Sequence, residues 1–240
     1  MRNLLVVVLC LCAAACATDA DEVGSEEPDD YVVDPEDGKA DGVPATFNQN
    51  DVVGDDVFRD NGNMTVAEVQ EFLEKSPYGN RSWLADYAVG GVSAAQFLVD
   101  AAKSKGIHPL MLLARMQVEA TLVSKTTRPT QSRIDKALGC GCPDGRPCNP
   151  AYKGLAKQLV CGAETMRKLY DASVDGSGQW RRGVTRRTLD PRSVTPVNHA
   201  TASLYAYTPW VLVGRGGNWL VWNVTRKYVR HAEAQGYLAD

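Results

Sequence analysis

Across residues 46–240, apolar positions recur every three to four residues and are broken by turn residues, the pattern of amphipathic helices. Thr65-Val66-Ala67-Glu68 forms a capping box, and Val66, Val69, Phe72 and Leu73 continue from it as an apolar stripe. Ser93 suits the cap of a second helix carrying Ala94, Phe97, Leu98 and Ala101, stopped by Gly106. Pro109 occupies the natural first position of a third helix running to about Val123. Further helices are expected over about Ala151–Asp171, Asn198–Tyr207 and Trp219–Ala234, the last ended by Gly236. Gln179–Val197 holds Gly183, Pro191, Pro196 and scattered Val and Thr, which suits a hairpin or an irregular loop. No internal repeat and no phosphate-binding glycine pattern is present. The expected class is mainly α.

The first residues follow a different pattern. Met1-Arg2-Asn3 precedes an apolar run from Leu4 to Cys16, which is 13 residues long. That is short of the ~20 a membrane-spanning helix needs. One positive charge, a short apolar stretch and small residues at its end read as a secretory signal over residues 1–16. Its exit, Ala13-Ala14-Ala15-Cys16, resembles a bacterial lipobox, although Leu is more usual at the position of Ala13. On that basis Cys16 is lipidated and the membrane is reached only through a lipid anchor. Ordinary cleavage near Ala15 or Ala17 is the alternative.

The chain has 240 residues, 44% hydrophobic and 23% charged, which is ordinary globular composition. The net charge of −3 hides an asymmetry. Between Ala17 and Pro44 eleven Asp and Glu stand against the single Lys39, while the body from Ala45 onward holds 24 Lys and Arg against 18 Asp and Glu. Residues 17–45 therefore read as an acidic, solvated tether without hydrophobic periodicity, and residues 46–240 as the folded domain. A basic body suits an anionic polymer; export argues against a nucleic-acid partner.

One residue in the third helix stands out. Leu110-Met111-Leu112-Leu113 are apolar on every side, so the helix is expected to be buried. Glu119 follows, with Leu112, Met116, Leu122 and Val123 at helical spacing around it. An unpaired carboxyl in such surroundings shifts toward its protonated form, which is what a general acid requires. The alternative is an ion pair with Arg115, one turn earlier.

From Asn63 to the C-terminus the chain resembles a lysozyme-like family of bacterial cell-envelope proteins related to lytic transglycosylases and glucosaminidases. Four segments carry the resemblance, in the family's order. They are Met64-Thr65-Val66-Ala67-Glu68-Val69-Gln70-Glu71-Phe72-Leu73, then Ile107-His108-Pro109-Leu110-Met111-Leu112-Leu113 continuing through Glu119. Cys142-Pro143-Asp144-Gly145-Arg146-Pro147-Cys148 and Asn198-His199-Ala200-Thr201-Ala202-Ser203-Leu204-Tyr205-Ala206-Tyr207-Thr208-Pro209 complete the set.

The resemblance implies a helical fold with a glycan groove, Glu119 as catalytic acid, and peptidoglycan glycan strands as substrate. Gly154-Leu155-Ala156-Lys157-Gln158 looks like the Gly-Leu-Met-Gln segment that lines the groove in transglycosylases, with one residue extra before Gln158. Asn198, Tyr205 and Tyr207 fall where the family has an Ala-Tyr-Asn groove wall; by spacing the two tyrosines fit either core or groove. Trp219 and Trp222 read as core. Ala120-Thr121 stands where transglycosylases commonly have Ser after the Glu. A single-Glu transglycosylase is the expected reaction. A muramidase or glucosaminidase would need a second carboxylate about 5–10 Å away, with Asp135 and Asp144 as candidates. A catalytically silent wall binder is the other alternative.

Four cysteines lie in the domain: Cys140, Cys142, Cys148 and Cys161. Export and an even count favour disulfides over zinc, and bridging Cys140 to Cys142 would strain a two-residue separation. The resemblance covers Cys142 and Cys148, implying that these two pair and that Cys140 joins Cys161. His108, His199 and His231 have no metal spacing, and no metal or cofactor is expected. Gly62, Met64, Thr65 and Glu68 match the second half of a calcium loop, but Val57 and Arg59 stand where its first half needs carboxylates.

Overall fold

A computed structural model describes Asp30 and residues 40–59, 64–143 and 146–238. Among these residues the chain forms eight α-helices and two small antiparallel sheets: α1 Asp55–Phe58, α2 Val66–Glu74, β1 Ala88–Val89, β2 Val92–Ser93, α3 Ala94–Lys105, α4 Pro109–Ala120, α5 Gln131–Ile134, α6 Leu155–Val174, β3 Arg186–Arg187, β4 Ser193–Val194, α7 His199–Tyr207 and α8 Gly217–Ala234. The mainly α class is therefore correct. The signal run, Cys16 and Asp144 lie outside the described residues. No described helix is long and apolar enough to cross a membrane.

The punctuation in the sequence acts as expected. The Thr65 hydroxyl accepts from the Glu68 amide and the Glu68 carboxylate accepts from the Thr65 amide, at 3.3 and 2.5 Å. This reciprocal pair satisfies two amides that the first turn of α2 leaves open. Ser93 caps α3, and Gly106 ends it at φ +60, where a side chain is disfavoured. Pro109 opens α4, with His108 as its cap: the His108 Nδ1 accepts from the Leu110 amide.

α4 is the buried axis. Every residue from Pro109 to Gln117 is buried, and the helix packs on α8, α3, α1 and α6. α6 in turn packs on α3 and α7. Trp219 and Trp222 belong to this core, as their helical spacing suggested. The stretch 179–197 does contain a hairpin, with Arg186 opposite Val194 and Arg187 opposite Ser193. The β1–β2 hairpin, turned by Gly90 and Gly91 at φ +60 and +82, and the short α1 and α5 were not evident from periodicity. These elements are too short to show a period.

Two boundaries need correction. α4 ends at Ala120 rather than near Val123, because Thr121 adopts a left-handed conformation at φ +51 and reverses the chain. The packed domain also reaches further toward the N-terminus than residue 46. Ala40 and Val43 are buried, and the Trp222 indole N–H donates to the Pro44 carbonyl at 2.8 Å. Asp30, from the stretch read as a solvated tether, is only 4% exposed. Averaging charge over the arm concealed these anchored residues.

Candidate functional site around Glu119

Glu119 is the second-last residue of α4, and its position differs from the sequence expectation. Because the helix ends at Ala120, Leu122 and Val123 pack inward after the turn instead of surrounding the carboxyl. The Glu119 side chain reaches solvent, 30% exposed, and forms an ion pair with Arg115. Of the two alternatives for Glu119, the structure has the paired one.

Arg115 is unusual in its own right. Its side chain is fully buried. One terminal nitrogen donates to Glu119 Oε1 and, at 3.1 Å, to the Thr208 hydroxyl. The other terminal nitrogen and Nε have no hydrogen-bond partner among the described residues. The guanidinium lies over the Tyr207 ring, 4.2 Å from its centroid, a cation–π contact strengthened by exclusion of water. Burial pushes the Tyr207 hydroxyl above its ordinary range; the Arg115 cation opposes that shift and the Glu119 charge adds to it.

The other wall of the carboxylate is the backbone of Gly139. This residue has φ +67, and a Cβ built on it would sit 3.5 Å from Glu119 Oε2. The turn around it is pinned from three directions. The buried Gln158 amide accepts from the Leu138 and Cys140 amides at 3.1 Å each and donates to the Cys140 and Tyr152 carbonyls at 2.7 and 2.9 Å. The Tyr207 hydroxyl donates to the Leu138 carbonyl at 2.8 Å. The Cys140–Cys161 disulfide ties the same turn to α6, with the Cα atoms 6.0 Å apart. A second disulfide joins Cys142 to Cys148, so both expected bridges are present. Two such bridges are typical of proteins that mature in an oxidising compartment.

Several residues expected to meet substrate are engaged elsewhere. Gln158 is 1% exposed with its amide fully used on backbone, so it supports the site and cannot line a groove. Asn198 is the cap of α7: its side chain accepts from the Thr201 amide at 2.7 Å and donates to Asp51 at 2.9 Å. Tyr205 has no exposed surface and stacks on Trp180 with ring centroids 5.0 Å apart. Only Tyr207 stays beside Glu119, and it acts there through Arg115 and Leu138. Sequence reasoning did not single out Gly139 or Thr208 as neighbours of the carboxylate; the glycine between two cysteines was the available signal.

The structure also has an open cleft of about 750 Å³, and Glu119 is not in its lining. Trp83 and Tyr87 contribute rings, Arg128, Lys153 and Lys157 cations, and Gly154–Lys157 a rim. The carboxylate in the cleft, Asp86, is paired with Arg81 at 2.7 Å. None of the ion pairs among the described residues uses Arg128, Lys153 or Lys157. Asp135, a candidate second carboxylate, accepts from Gln131 at 2.9 Å. Comparison of the chain with protein-family models, with curated proteins and with solved structures finds no match in any of the three.

Proposed function

We propose that this chain is a lysozyme-like enzyme of the bacterial cell envelope that cleaves peptidoglycan glycan strands by a single-carboxylate, transglycosylase-type reaction at Glu119. It is exported and held by lipid at Cys16, on the periplasmic or outer-membrane face. The observation that carries the proposal is the Glu119 carboxylate, which sits at the end of the buried helix α4, reaches solvent and is fixed in orientation by Arg115. Arg115 holds Oε1, leaving Oε2 over the bare backbone of Gly139 as the oxygen that meets substrate.

In this reaction Glu119, protonated on the Oε2 that Arg115 leaves free, donates that proton to the leaving glycosidic oxygen as the C1–O bond breaks. The resulting carboxylate takes the proton of the C6 hydroxyl as that oxygen closes onto C1, leaving a 1,6-anhydro end. The aromatic and cationic cleft suits the rest of an anionic glycan, with flat rings against pyranose faces and cations toward carboxylates.

A second reading is favoured by one observation, the absence of Glu119 from the cleft lining. On that reading the cleft binds glycan and nothing is cut. Incubation with purified peptidoglycan separates the two. The enzyme releases fragments with 1,6-anhydro ends, and Glu119→Gln, isosteric but unable to supply the proton, retains binding and loses release. Reducing ends would instead indicate a muramidase or glucosaminidase with a second carboxylate such as Asp135. Co-sedimentation without release would leave the silent binder.

A further inference from the structure

Asp30 is an acidic residue buried far from its own neighbours in sequence. Its Oδ1 accepts from the Tyr78 hydroxyl at 2.5 Å and its Oδ2 from the Gln117 amide at 2.6 Å. Its backbone carbonyl accepts from the Asn223 amide at 2.6 Å. The donors come from the loop after α2, from α4 and from α8, so the pocket is a product of the tertiary fold. Tyr78 is itself 3.1 Å from the hydroxyl of the fully buried Tyr228. Among the described residues Asp30 forms no ion pair, and the donors to its carboxyl there are the neutral Tyr78 hydroxyl and Gln117 amide. Hydrogen bonds of this length offset part of the cost of burying a carboxyl group.

The pocket reads two things at once, an acidic side chain and the peptide carbonyl beside it. A free anion offers only the first. Gln117 also connects the pocket to the turn that follows α4. The same side chain donates to the Ser124 hydroxyl at 3.0 Å and accepts from the Val123 and Ser124 amides at 2.9 and 3.1 Å. That turn then gives the Leu122 carbonyl to the Trp83 indole and the Lys125 carbonyl to the Trp83 amide, each at 2.9 Å. Trp83 is part of the cleft wall.

We propose that Tyr78, Gln117 and Asn223 form a binding site for an acidic peptide residue, that the chain's own N-terminal arm fills it with Asp30, and that its occupancy holds the turn after α4 in place. Asp30 is thereby an internal ligand of the domain. This inference stands independently of whether Glu119 cleaves glycan.

The test uses the full mature chain and two readouts that need no activity. The first readout is tryptic cleavage after Lys39, the sole basic residue between Ala17 and Pro44, which is expected to be slower while Asp30 is docked. Hydrogen exchange at the Val123 and Ser124 amides reports the turn. Asp30→Ala is expected to speed cleavage after Lys39 about tenfold or more and to speed exchange at both amides, as loss of two side-chain hydrogen bonds in a buried site implies. Asp29→Ala removes the same charge one residue earlier and is expected to change neither. Tyr78→Phe, which deletes one donor with little change of shape, is expected to give a smaller increase in both readouts and serves if Asp30→Ala fails to fold. Wild-type cleavage and exchange in the Asp30 and Tyr78 variants would overturn the proposal. Equal effects from Asp29→Ala would overturn it too, since the arm would then be held by charge in general.

Discussion

The guanidinium of Arg115 lies 4.2 Å from the centroid of the Tyr207 ring, and the same two residues fix the two sides of the Glu119 site. Arg115 holds the carboxylate from within α4. Tyr207, from α7, holds the Leu138 carbonyl and with it the Gly139 turn. The aromatic face supplies part of the electrostatic partnership that two guanidinium nitrogens lack among the described residues. A buried cation so placed is costly to leave without its carboxylate. This coupling explains why a surface-reaching Glu has a defined orientation.

Gly139→Ala is expected to lose activity by more than its effect on stability accounts for. The φ of +67 imposes a strain of about 1–2 kcal/mol on any side chain. The new methyl would also lie in van der Waals contact with Glu119 Oε2, where substrate is proposed to approach. Thermal denaturation gives the first effect and fragment release from peptidoglycan the second. Unaltered turnover in a folded Ala variant would show that Oε2 does not face substrate.

Gln158→Glu distinguishes a supporting role from a binding role. The amide nitrogen that donates to the Cys140 and Tyr152 carbonyls would become an oxygen facing two oxygens in a buried site. A loss of about 3 kcal/mol or more in unfolding free energy is expected, together with a weakened Gly139 turn. A folded variant of wild-type stability with weakened glycan binding would return Gln158 to the groove.

The two disulfides are expected to contribute unequally. Cys140–Cys161 spans 21 residues and Cys142–Cys148 spans 6. By loop-closure entropy the longer bridge contributes about 3 kcal/mol and the shorter about 2. The longer one also restrains the turn beside Glu119. Paired Cys→Ser variants, compared by denaturant unfolding, should preserve that order, and mass spectrometry of the intact protein should find no free thiol among the four.

Stability should fall as the imidazole of His231 is forced to protonate. Desolvation lowers its pKa, against the opposing hydrogen bond to the Lys75 backbone. The ring packs edge-on against Phe72, and Nε2 has no hydrogen-bond partner among the described residues. Since the unfolded chain binds the proton more readily, this contribution is complete above the ordinary imidazole range near pH 6.5. It is lost progressively as pH drops through that range toward the lower folded value. His231→Gln should flatten the dependence of Tm on pH between about 7.5 and 5, whereas identical profiles would exclude His231 as its source.

The sequence by itself determined the six longer helices and where most of them begin and end. Thr65 with Glu68, Ser93, Gly106 and Pro109 act through bonds and steric limits within a few residues, so neighbours along the chain are enough to specify them. An expected export signal and an even cysteine count pointed to disulfides. Which polar side chains would face solvent was not specified locally. Gln158, Asn198 and Tyr205 have the residue types of a sugar groove, yet their partners are Leu138 and Cys140, Asp51, and Trp180. The Arg115–Thr208 contact spans 93 positions and the Asp30–Asn223 contact 193. A side chain's polarity states that it needs partners; only packing of distant segments decides whether protein, solvent or ligand supplies them.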